Sequence, residues 1–231
     1  MINAMIQMNQ TQATISAKTM LLVVKKLLGE TNDVELKGII EDAKVREDKL
    51  NRAKTYTNVL DLKVFFNQWD EAASLLLEAG DCSQVLGHGV FTLARFTYLE
   101  GLISIQSAKS ATTWLKKRTW KNRSIKSKKR IRTWVKKGNV NLVHYLHLLE
   151  AEYATMQGKS DKAECNYKAA IDVSSSNAFI QDCALSHELA STYFDSKGDT
   201  YWRDYHMEQC KKYYSEWNAT AKLKQLMMII R

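Results

Sequence analysis

Apolar residues recur three and four positions apart along nearly all of this 231-residue chain, and strict alternation of apolar with polar residues is hard to find. Side chains three or four apart share one face of an α-helix, whereas a half-buried strand needs every second residue, so the spacing selects helices. Proline is absent altogether, where an average composition of about 5% predicts roughly a dozen. Helices can therefore run unbroken, and proline-rich loops and strand edges are excluded. With 45% hydrophobic and 26% charged residues the chain is globular in composition. No stretch approaches the ~18 uninterrupted apolar residues of a membrane span.

Over 13–29, Ile15, Met20, Val23, Val24, Leu27 and Leu28 make a broad apolar face, and Gly29 stands where a left-handed C-cap ends a helix. Polar residues 29–38 read as a connection. A charged helix over 40–66 gains an apolar face at Val59, Leu60, Leu62, Val64, Phe65 and Phe66. Short helices follow over 70–79 and 89–107, the second carrying Val90, Phe91, Ala94, Tyr98, Leu102 and Ile105. Segments 139–157, 160–174, 177–196, 200–217 and 220–230 bring the total to about ten. A coiled coil is the rival arrangement, but Gly138, Gly158 and Gly198 interrupt any sustained heptad.

Two stretches repeat one another. In 69–79, Ala72, Leu76 and Ala79 occupy offsets that Ala163, Tyr167 and Ala170 reproduce after Gly158. Small residues one and two turns apart admit a neighbouring helix, and the bulky residue between them fills the groove, so the spacing encodes stacked hairpins of the tetratricopeptide kind. After Gly198 the equivalent residues are Arg203, Met207 and Cys210, and the step from Gly158 is longer than the standard repeat. The fold expected is all-α, a right-handed α-α superhelix of helical hairpins forming a single domain over 1–231. Its parts are divergent helices over 1–66, a first repeat region over 67–107, a basic helix over 108–138 and C-terminal repeats over 139–231.

Chemistry-bearing motifs are incomplete. Gly158-Lys159-Ser160 ends like a phosphate loop but has Tyr153 where the first glycine belongs and a helix where a strand is required; a tight turn capped by Ser160 is the better reading. Gly87-His88-Gly89 lacks the third glycine of a dinucleotide site. His144, His147 and Glu150 could share a metal only with a ligand that nothing nominates, and His187 and Glu188 beside Cys183 lack an orienting third group. Catalytic, cofactor and metal sites are therefore not assigned. Cys82, Cys165, Cys183 and Cys210 form no CxxC pair and read as reduced, mostly buried thiols, and residues 1–12 carry no basic leader, which suits a cytoplasmic protein.

Charge is concentrated. Residues 1–100 and 150–231 each sum to −2, whereas 101–149 holds 13 Lys/Arg and no Asp or Glu. Lys116, Lys117, Arg118, Lys121, Arg123, Lys126, Lys128, Lys129, Arg130, Arg132, Lys136 and Lys137 alternate with Trp114, Trp120 and Trp134. The plainest reading is a solvated helix anchored by Ile131, Trp134 and Val135 with its lysines outward. An acidic protein partner or lipid headgroup comes next, and a nucleic-acid-binding helical protein is the alternative function. Lys116-Lys117 and Lys128-Lys129-Arg130 also fit a bipartite nuclear-import spacing.

From residue 139 the sequence resembles the tetratricopeptide-like helical region of large multidomain signalling proteins, where it follows a signal-transducing ATPase and accompanies serine/threonine kinase, histidine kinase or nucleotide cyclase domains. The resemblance rests on 147–159, 163–171, 179–194 and 213–226, where Asn218 replaces the pattern's glycine, and upstream on 66–76 and the Lys-rich helix before Asn141 and His144. It covers about 60–231. It implies a scaffold without the catalytic domains, binding a peptide segment or a signalling domain, with no cofactor. Arg203 and Cys210 in place of small residues put the packing of the last repeat in question.

Overall fold

In a computed structural model, which describes residues 11–31, 33–45, 48–87 and 91–229, the chain is all α-helical, with no strand among those residues. The helices are α1 (Thr11–Leu28), α2 (Asp33–Val45), α3 (Lys49–Phe65), α4 (Trp69–Ala79), α5 (Phe91–Ser110), α6 (Trp114–Lys136), α7 (Val143–Met156), α8 (Ser160–Ser176), α9 (Ile180–Ser196), α10 (Thr200–Glu216) and α11 (Thr220–Ile229). Short 3-10 turns cover Cys82–Gln84 and Val140–Leu142. The chain divides into two compact units, Met1–Leu99 and Glu100–Arg231, with the boundary inside α5.

In the first unit α3 packs against α1, α2 and α4. Val59, Leu60, Val64, Ala72 and Leu76 are buried there, and Ala79 is half-buried at the end of α4. Arg95, 5% exposed, donates from Nε to both oxygens of Asp61 at 3.1 and 3.0 Å and lies over the rings of Phe65 and Tyr98. Three sequence readings change here. The connection expected over 29–38 is helical from Asp33, where Thr31 Oγ1 donates to Glu35 and Leu36 and Ala43, seven residues apart, both turn inward. The single helix expected over 40–66 is two helices, because Asp48 starts a new one by accepting the Asn51 backbone N–H at 3.1 Å. Among the described side chains of α1, Thr19 and Leu27 are the buried ones, while Met20, Val24 and Leu28 are exposed; Ile15 lies outside the described side chains. Val90, His88 and Gly89 also fall outside the described residues. Phe91 is 63% exposed, whereas Tyr98 is fully buried.

The second unit is metrical. Its inter-helix turns place a left-handed residue every 20 positions, at Gly138, Gly158, Ala178, Gly198 and Asn218, with φ between 56° and 94°. In each case the following residue donates its backbone N–H five residues back, as Lys159 does to Ala154 at 3.0 Å and Phe179 to Ser174 at 2.9 Å, which satisfies a carbonyl left free at the helix end. Helices α8, α9 and α10 are each 17 residues long. The hairpin α7–α8 is followed by α9–α10, so the repeat is 40 residues and the step from Gly158 to Gly198 is its regular length. Ala163, Tyr167 and Ala170 are buried as their spacing requires. The α9–α10 hairpin also closes: Cys210 is fully buried, and Ser191 Oγ donates to the Arg203 backbone oxygen at 2.8 Å while the Arg203 side chain turns aside to Asp195 and Asp204. Gly101 sits where α5 passes α6 and α7; a Cβ there would stand 3.0 Å from Leu149 and 3.3 Å from Ser127.

Candidate functional site

Two surfaces of the second unit carry the side chains of interest. The first is α6. Thr113 caps it by accepting the Lys116 N–H, and Ser124, Ser127, Lys128 and Ile131 form its buried seam. Ile131 anchors the helix as expected, but Trp134 and Val135 are only half-buried and the two serines and Lys128 take their place. Small hydroxyls let α6 approach closely, and Ser127 Oγ donates to Glu100 at 2.7 Å. Three cations of the helix reach carboxylates, Lys128 from a buried position and Arg123 and Arg132 from half-exposed ones, so the array is not wholly outward. Arg123 pairs with Glu100 at 2.8 Å; Lys128, at 3.2 Å, and Arg132 share Glu150. Burial, then the charges of Arg132 and Lys162, push the Lys128 amine down to about 8, and its ammonium lies 3.6 Å from the Tyr153 ring centre. Lys116, Lys117, Arg118, Lys121, Lys126, Lys129, Arg130, Lys136 and Lys137 meet no carboxylate among the described residues. Arg118, Arg123 and Arg130 lie over Trp114, Trp120 and Trp134 at 5.2, 5.9 and 5.0 Å.

The second surface is a groove of about 680 Å³ between α8 and α10, floored by α9. Glu164, Lys168 and Asp172 succeed one another a turn apart on the α8 wall, and Trp202, Tyr205 and His206 rise from α10. Trp202 and Tyr205 are 44% and 43% exposed, with ring planes at 87° and centres 5.5 Å apart. Phe194 stacks on His206 within 9° of parallel. Asp199 caps α10 by accepting the Trp202 N–H at 3.1 Å, which fixes the root of that ring. At one end Tyr193 donates to Glu164 at 2.9 Å and Lys197 to Ser160 Oγ at 2.8 Å. Ser160 is therefore an acceptor at the groove rim; the turn before it exists as expected, but its cap residue is Lys159.

His187 and His206 meet in this groove, Nδ1 to Nδ1 at 2.9 Å. Such a contact requires one ring to donate and the other to accept, so both are neutral or share one charge. Burial holds His187 near 3, with the neighbouring His206 adding to the effect, and burial holds His206 near 4. The preceding hairpin has the same contact in simpler form, His147 Nδ1 to Asn166 Oδ1 at 3.0 Å, with the same 19-residue separation.

The remaining candidates disperse. His144 points to Asp182 at 3.2 Å and stacks on Phe179, His147 goes to Asn166, and Glu150 serves the cations of α6 and α8. Glu188 accepts from Tyr214 at 2.8 Å and from the fully buried Lys222 at 2.6 Å. Cys183 is buried, and burial raises its thiol above the ordinary value. No group of three metal-ligating side chains occurs among the described residues. Cys82 and Cys210 are buried and Cys165 exposed, and none of the four cysteines is in a disulfide.

Comparison with known proteins finds no match among family models, curated proteins or solved structures.

Proposed function

We propose that this chain is a non-catalytic helical-repeat scaffold that binds protein segments, in the signal-transduction setting its resemblance implies. The observation that carries the reading is the aromatic groove over α9. From His187 to Lys197 the floor runs ten residues, about 15 Å at 1.5 Å per residue. That length suits about five residues of extended chain. Half-exposed Trp202 and Tyr205 offer large rigid surfaces at small entropic loss, and the charges of Glu164, Lys168 and Asp172, one helical turn apart, give a bound segment a register. The 20-residue meter supports an array of hairpins, an architecture that presents surfaces between its repeats. The separate partners of His144, His147, Glu150 and Glu188 support the absence of a catalytic role.

Selection of displayed random peptides on the intact protein tests this. Enriched peptides sharing a motif, and losing at least about tenfold in affinity for Trp202→Ala/Tyr205→Ala, are the expected result. Absence of enrichment, or affinity untouched by that double substitution, refutes it.

A further inference from the structure

The outward face of α6 is not used by the groove, and its composition is specific. Trp114, Arg118, Lys121, Ile125, Lys129 and Lys136 fall on one stripe at helical spacing, with Leu115 and Lys126 beside it. Trp114 and Leu115 are 67% and 68% exposed and Ile125 is 39% exposed. Arg123, Lys128 and Arg132 are paired with Glu100 and Glu150, whereas these other cations meet no carboxylate among the described residues. Lys116, Lys117 and Arg118 crowd the first turns, where the helix dipole disfavours positive charge and an external anion would relieve it.

We propose that this face docks on an anionic lipid surface. The lysines and Arg118 meet headgroup phosphates and carboxylates, and Trp114, Leu115 and Ile125 enter the boundary beneath them. The helix lies in the surface plane, since no helix among the described residues is long and apolar enough to cross a membrane. Lipid is favoured over nucleic acid by the aliphatic members of the face: Leu115 and Ile125 have nothing to gain from a phosphate backbone, while an interfacial helix uses both. The indole of Trp114, partly covered by the Arg118 guanidinium, presents an amphipathic ring of the kind enriched at membrane interfaces. This inference is independent of the groove reading, which involves other helices.

Flotation of the intact protein with vesicles tests it, comparing phosphatidylcholine alone with phosphatidylcholine containing about 30 mol% phosphatidylserine. The expected result is flotation with the anionic vesicles only, released in ~0.5 M salt. Lys126→Glu/Lys129→Glu/Lys136→Glu should weaken it by more than about tenfold, and Trp114→Ala/Leu115→Ala by several-fold, with unchanged circular dichroism because all five positions are exposed. Equal flotation on both vesicle types, none on either, or indifference to both variants overturns the proposal. So does polyuridylate that displaces the vesicles and binds Trp114→Ala/Leu115→Ala as well as the parent protein; that outcome assigns the face to nucleic acid.

Discussion

At the scale of single residues the second unit holds buried ionisable groups whose partners can be named. Lys222 is fully buried and its ammonium reaches Glu188 and Gln225. Removing one member of a buried pair leaves an uncompensated charge, so Lys222→Met should cost about 3–5 kcal/mol in urea unfolding, and adding Glu188→Leu should recover much of it. The His187–His206 contact makes a pH prediction. Both folded-state values, near 3 and near 4, lie below the ordinary 6.5. The unfolded chain therefore binds protons first: this contribution is complete above about pH 6.5 and is lost as pH falls toward 4. His206→Asn copies the Asn166 partner of His147 and removes one titrating ring. Its unfolding free energy in urea should decline less between pH 6.5 and 4, by about 1–2 kcal/mol, and superimposable pH dependences for the two proteins would contradict the assignment.

At the scale of elements the turns explain both what the sequence disclosed and what it hid. Gly138, Gly158 and Gly198 are visible as helix stops, but the left-handed positions between and after them are held by Ala178 and Asn218, so the 20-residue meter looks broken. Asn218, in place of the glycine of the resembled pattern, is a side chain that tolerates φ of 58°; Ala178 at 56° is not helped in that way. Ala178→Gly should thus stabilise the protein, by about 1 kcal/mol in chemical denaturation, against the usual sign for glycine at a helix end. The Ala72–Leu76 and Ala163–Tyr167–Ala170 spacing was legible because close packing needs those volumes. Helix α2 was not, since a polar 29–38 with two glycines mimics a loop until Leu36 and Ala43 find α3. The groove escaped notice for a different reason: its walls come from three helices, and Trp202 and Tyr205 are ordinary helix residues until α8 stands across from them.

For the molecule as a whole, composition gave class but not distribution. The excess positive charge in 101–149 was plain, yet only the packing of α6 separates Arg123, Lys128 and Arg132, held by Glu100 and Glu150, from the cations left facing out. The four thiols, none of them in a disulfide, report on the integrity of the fold. Cys165 is exposed; Cys82, Cys183 and Cys210 are buried, and burial raises the last two above the ordinary thiol value. A disulfide reagent at pH 8 should therefore modify one thiol quickly in the native protein and four in denaturant, with Cys165→Ser abolishing the fast phase. The central claim is that this all-α chain acts by holding a segment over α9. Nuclear magnetic resonance titration with a peptide selected on the protein tests it most directly: shift changes confined to Glu164, Lys168, Phe194, Trp202, Tyr205 and their neighbours are predicted, and changes centred on α6 or scattered through the first unit contradict it.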